Sequence, residues 1–96
     1  MVPLGVWTTH DDPAVGMCRN DNEFDSNSNS KLTFNSDYGW RFVTLTLEEC
    51  KKECVSMGCV QIYRITDTGA CYPFMNSCTG SVLANRGVLH TYSGDI

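Results

Sequence analysis

The residues of this chain with the widest chemical reach are six cysteines and two histidines. Cys50, Cys54 and Cys59 sit together in TLTLEECKKECVSMGCVQIYRI (44–65), with Cys18 upstream and Cys71 and Cys78 downstream. Such a set could hold a metal, run thiol–disulfide chemistry or staple a fold. Zinc sites join two C-x2-4-C pairs, whereas here C-x3-C-x4-C is followed by Cys71 and Cys78 with no second close pair, and His10 and His90 lie at opposite ends of the chain. A redox site favours C-x-x-C at a helix start, and the sequence has none. A disulfide framework remains, and an even cysteine count in a chain of 96 residues fits it in an oxidising compartment. No metal and no cofactor is expected, and the default location is secreted or lumenal.

The elements that position these sulfurs follow from local rules. Thr46-Leu47-Glu48-Glu49 matches a capping box, in which the Thr46 hydroxyl accepts from the Glu49 amide and the Glu49 carboxylate accepts from the Thr46 amide. The helix is therefore predicted to start at Leu47 and to end near Met57, where Gly58 supplies a left-handed closing residue. Leu47, Cys50, Cys54 and Met57 then share the buried face, while Glu48, Lys51, Lys52 and Ser56 lie on the others. Cβ atoms at i and i+4 are about 5–6 Å apart on a helix, and a disulfide wants about 3.8 Å, so Cys50 and Cys54 do not pair with each other. Cys54 can reach Cys59 just past Gly58, Cys50 can reach Cys71 on the following hairpin, and Cys18 is left for Cys78. On a loop-entropy scale the bridges 54–59, 50–71 and 18–78 are worth about 2, 3 and 4 kcal/mol. Those terms matter, because a domain of this length removes only about 60–65% of its unfolded surface from water.

Around the helix the pattern is β. A short edge strand is expected at Leu4–Thr9, closed by HDDP. RNDNEFDSNSNS (19–30) reads as an exposed polar loop outside the core. KLTFN places Leu32 and Phe34 on one face, WRFVTL follows the SDYG turn, and CVQIYRIT turns through DTG (67–69) into ACYPFM. A last strand is expected in GVLHTY (87–92). Strands, one helix and more strands predict a single α+β domain over 1–96, with its core in 18–92 and the helix on an antiparallel sheet.

A net charge of −4, a pI near 4.8 and only seven Lys and Arg argue against nucleic acid as a partner. No apolar run approaches the roughly 20 residues of a membrane span. MVPLGVWTTHDD lacks the basic start and long apolar stretch of a signal peptide, so a secreted form is expected to be processed, excised as a module from a larger protein, or extended by an added Met1.

The segment LTLEECKKECVSMGCVQIYRITDTGACY (45–72) resembles the core of the PAN/Apple domain family. It has a helix with two cysteines separated by three residues, a third shortly after, an aromatic-containing strand, a Gly turn, and a fourth cysteine before an aromatic. The resemblance implies a helix cradled by a curved antiparallel sheet, with Cys50–Cys71 and Cys54–Cys59 as its bridges, in agreement with the pairing above. Six-cysteine members join the two ends of the module with a further bridge. Here Cys78 comes only seven residues after Cys71, before GVLHTY, so Cys18–Cys78 would fasten the N-terminal segment to a mid-chain loop.

The family resemblance implies a non-catalytic extracellular module that binds a glycan or a protein, secreted or at the cell surface. The residues agree that it is not an enzyme: no serine-nucleophile motif, phosphate loop or paired carboxylate in an apolar setting is present. Candidate ligand contacts are Trp40, Arg41, Tyr63, Arg64 and Tyr72, aromatic rings to stack on a sugar and guanidinium groups to bond its hydroxyls. The plainer reading keeps Trp7 and Trp40 in the core. On VQIYRI, alternation sets Gln61, Tyr63 and Ile65 against Val60, Ile62 and Arg64, and neither face is plainly solvent. Asp21, Glu23, Asp25, Asn27 and Asn29 alternate like calcium ligands, but Ser26 replaces the loop glycine and Leu32 the bidentate glutamate, so a solvated loop is expected. No glycan is expected on Asn76 of NSC. The competing expectation is a structural subunit that self-assembles through a free edge of PLGVWTT or GVLHTY.

Overall fold

The computed structural model describes residues 5–18, 24 and 27–93. Its elements are β1 (Val6–His10), β2 (Thr33–Asn35), β3 (Gly39–Arg41), α1 (Leu47–Met57), β4 (Gln61–Ile65), β5 (Cys71–Phe74) and β6 (Gly87–Ser93). The architecture is α+β: one helix, an antiparallel sheet in the order β1-β6-β4-β5, a small β2–β3 hairpin and three disulfides.

α1 has the predicted limits for the predicted reasons. The Glu49 amide donates to Thr46 Oγ1 at 3.2 Å, and the Thr46 amide donates to Glu49 Oε1 at 3.0 Å. At the other end Gly58 adopts φ 79°, and its amide donates to the Cys54 and Val55 carbonyls. Cys50 and Cys54 are the fully buried residues of the helix. Disulfides join Cys50 to Cys71, Cys54 to Cys59 and Cys18 to Cys78.

β4 is buried on both faces, which is why alternation could not identify its solvent side. Ile62 and Cys71 face α1 and pack with Phe24, Leu32, Phe42, Cys50, Cys54 and Cys59. Tyr63, Ile65, Tyr72, Phe74 and Leu89 face the other way and pack with Met17. The second layer is not a regular element. The N-terminal segment crosses that face, pairing Gly16 with Gly80 and Met17 with Val82, and Cys18–Cys78 fixes the crossing. A Cβ on Gly16 would collide with the Val82 carbonyl, and a Cβ on Gly80 with the Met17 carbonyl, so the close approach requires glycine at both positions.

Four local expectations are corrected. The first strand begins at Val6, two residues later than predicted. GVLHTY is not an edge: β6 lies between β1 and β4, and β1 alone keeps an outer position beside it. Phe24, within the polar run, belongs to the helix-side core at 7% exposure, because burying a large apolar ring is worth about 1.5–3 kcal/mol. Leu32 is buried while Phe34 is 56% exposed. The Leu32 amide bonds the Asn29 carbonyl in a turn, so strand alternation does not extend back to it. Of the calcium-like set, Asp21, Glu23 and Asp25 lie outside the described residues. Asn29 donates to Glu53 on α1 at 2.8 Å, beside the 2.8 Å Lys31–Glu53 ion pair.

Replacing Cys50 and Cys71 together with Ala should lower the unfolding free energy by about 3 kcal/mol, and the Cys54/Cys59 pair by about 2 kcal/mol. Urea titration followed by tryptophan fluorescence measures both. The order should invert if the short bridge, rather than the helix-to-sheet bridge, were the main tie.

Candidate functional site

The five side chains expected to bind a ligand separate in space. Tyr63 is fully buried, and its hydroxyl donates to the Leu83 carbonyl at 2.7 Å. Burial pushes its phenol pKa up. It is a core side chain, because the N-terminal crossing covers the face it occupies. Trp40 is half-buried against the helix-side core and tilts onto exposed Phe34, with ring centroids 5.1 Å apart across the β2–β3 pair. Arg64 lies on the helix face of β4, cross-strand from Val88 and Cys71. Only Arg41 and Tyr72 come together.

Their meeting place is a groove of about 160 Å³ on the face of the sheet opposite α1, with polar walls formed by Asn35, Tyr38, Arg41, Thr68, Tyr72 and Arg86. Although the Tyr72 ring is buried, its hydroxyl accepts from an Arg41 guanidinium nitrogen at 3.3 Å and from Asn35 Nδ2 at 3.4 Å. Arg41 Nε is buried with no hydrogen-bond partner. The hairpin turn places Tyr38. Asn35 Oδ1 accepts the Asp37 amide at 2.8 Å, the Asn35 carbonyl accepts the Tyr38 amide at 3.2 Å, and Gly39 at φ 104° reverses the chain. The Tyr38 ring then meets Tyr72 edge to face at 6.3 Å. From the third side Arg86 reaches the groove while holding Asp67 at 3.4 Å.

Asn35, Tyr38, Thr68 and Arg86 were not anticipated from sequence. The turn-forming NSDYG run was a usable signal for Tyr38; Arg86 had none, because its place depends on β6 running beside β4. The lining carries guanidinium, phenol, hydroxyl and carboxamide groups but no carboxylate, imidazole or thiol. It is therefore equipped to hydrogen-bond a polar ligand and to present an aromatic wall.

Two other grooves flank the sheet. On the same face, about 480 Å³ is bounded by Thr8, His10, Gln61, Ser77, Thr79 and Thr91. Three of its polar side chains engage one another: buried Gln61 donates to Thr91 Oγ1 at 3.3 Å and accepts the Cys78 amide at 3.0 Å, and His10 Nε2 lies 3.2 Å from Thr91 Oγ1. On the helix face, about 290 Å³ is bounded by Leu47, Arg64, Thr66, Val88 and His90. Among the described residues no cluster of three or more His, Cys, Asp or Glu is placed to hold a metal ion, and no helix is long and apolar enough to cross a membrane.

No protein-family model, curated protein or solved structure matches this chain.

His90 is 5% exposed, and its pKa is lowered from 6.5 first by burial and then by Lys51, Arg64 and His10. With the folded value below the unfolded one, the unfolded chain takes up the proton first. Stability is therefore full above about pH 6.5 and declines as pH falls through the lowered folded value. Thermal melts should show that decline in wild type, and His90→Gln should flatten it; an unchanged slope would assign the loss to other groups.

Proposed function

We propose that this chain is a non-catalytic extracellular recognition module of the PAN/Apple type, and that its Arg41–Tyr72 groove receives a carbohydrate. The observation that carries the reading is the convergence of Arg41, the Tyr72 hydroxyl and Asn35 in one hydrogen-bonded cluster beside the Tyr38 ring. Sugar hydroxyls both donate and accept, and the cluster offers both functions next to an apolar ring. Three disulfides in a small domain are typical of extracellular proteins. The cysteine and aromatic pattern of 45–72, and the helix-to-sheet and short-loop bridges, support the family reading; Cys18–Cys78 differs from it by ending on a mid-chain loop.

A glycan array is the direct test. Wild type should bind a defined set of glycans, and Arg41→Ala should weaken that binding at least about tenfold, the loss expected for a hydrogen bond from a charged donor. Tyr72→Phe, which removes only the hydroxyl, should weaken it less. An array blank for wild type, or unchanged by Arg41→Ala, would remove the groove from consideration.

A second reading, assembly through the sheet, is favoured by β1. Val6–His10 reads VWTTH, with neither Lys nor Pro to blunt it, and Val6 is 59% exposed. No described strand pairs with its outer side. Size-exclusion chromatography across a concentration series should then show a species of twice the mass that Val6→Lys abolishes. A monomer at every concentration counts against this reading.

A further inference from the structure

The groove on the helix face holds a cation without a counter-ion. Arg64 is half-buried, its Nε is buried with no hydrogen-bond partner, and none of the ion pairs among the described residues involves it. A buried N–H left without a partner costs free energy, so the Nε side of the guanidinium fork is unsatisfied as it stands. A guanidinium presents a planar fork that a carboxylate fills with two parallel hydrogen bonds. Around it the cavity of about 290 Å³ has apolar walls, Leu47 from the first turn of α1 and Val88 from β6. Thr66, whose hydroxyl donates to the Arg86 carbonyl at 3.1 Å, and His90 complete the lining. The His90 Nδ1 lies 2.9 Å from Thr9 Oγ1, which leaves Nε2 as the ring nitrogen for a ligand.

We propose that this groove binds a small organic carboxylate, with Arg64 gripping the carboxylate, Leu47 and Val88 packing on its carbon body and His90 as a second donor. The site lies across the sheet from the Arg41–Tyr72 groove and does not depend on that reading.

The groove's electrostatics give binding a pH signature. The charged and titratable groups acting on His90 are Lys51 and Glu48 from α1, Arg64 from β4 and His10 from β1; only Glu48 favours the protonated ring. Without ligand, burial and the Lys51 and Arg64 charges favour the neutral ring. A carboxylate beside it reverses the local sign and draws a proton onto Nε2, so binding takes up a proton. Affinity therefore rises as pH falls, as long as the ligand remains ionised, down to about pH 5 for ordinary carboxylic acids.

The test is NMR observation of the Arg64 Nε–Hε and His90 ring signals in the intact protein during titration. The probes are glucuronate and butyrate, with glucose and butanol as neutral counterparts. One or both carboxylates should shift these signals and the neutral compounds should not. A response to glucuronate alone identifies an acidic sugar as the natural ligand, and a response to butyrate a simpler acid. Affinity should be several-fold higher at about pH 5.5 than at about pH 7.5, where histidine changes charge. His90→Gln should bind with that dependence flattened, Arg64→Gln should lose at least about tenfold, the size of a charged hydrogen bond, and Arg41→Ala should bind as wild type. The proposal is overturned if carboxylates leave both signals unmoved, if neutral compounds move them equally, or if the loss follows Arg41 rather than Arg64.

Discussion

Cys71 is where the three parts of this small molecule meet. Its sulfur is bonded to Cys50 on α1, and its backbone exchanges two 2.8 Å hydrogen bonds with Phe42 at the end of β3. It also pairs with Arg64 in the centre of the main sheet. Helix, sheet and hairpin are thus held at one residue, in a chain too short to rely on core volume. The two half-cores on either side of β4 are thin, and neither would secure its covering layer alone. On one side the covalent tie is Cys50–Cys71; on the other it is Cys18–Cys78, which pins an irregular segment across the sheet. The Arg41–Tyr72 groove inherits its geometry from this junction, since one wall comes from the hairpin and the other from β5.

The polar chemistry is distributed by the same sheet. Arg41 and Arg64 each keep a buried Nε without a partner, one on each face. The molecule as a whole carries a charge of −4, so these are small electropositive pockets in an acidic surface. Long-range attraction does not gather anions to them. Recognition at either groove therefore rests on close contact: forked hydrogen bonds, an aromatic wall or apolar sides.

What could be read from the sequence was whatever short-range rules decide. The helix limits followed from Thr46, Glu49 and Gly58, and the partners of Cys50 and Cys54 from helix periodicity and the reach of a disulfide. The hairpin around Thr68-Gly69 was equally local. Phe24 was misjudged because its burial depends on a core assembled from residues far along the chain. Tyr63 looked available because nothing near it announces that residues 15–18 cross over its face. Arg41 and Arg64 lie on strands of similar composition, and only the Phe42–Cys71 bridge and the Arg64–Cys71 pairing, both non-local, send them to opposite sides. Of the candidate site, then, Arg41 and Tyr72 were legible; Asn35, Tyr38 and Arg86, brought in by turn geometry and strand order, were not.

The two ends of the sheet are unequal, and this bears on symmetry. Beyond β5 the backbone continues through the Phe42–Cys71 pairing into β3 and then β2, a strand of only three residues that offers little template. At the opposite end β1 presents five residues. Among the described residues this is the one long open edge, and a body with one such edge can add only one neighbour. Two copies joined β1 to β1 in antiparallel fashion are related by a two-fold axis, and each consumes the edge the other needs. Contact through this strand is therefore self-limiting: it closes a pair and leaves no end from which a fibre could grow.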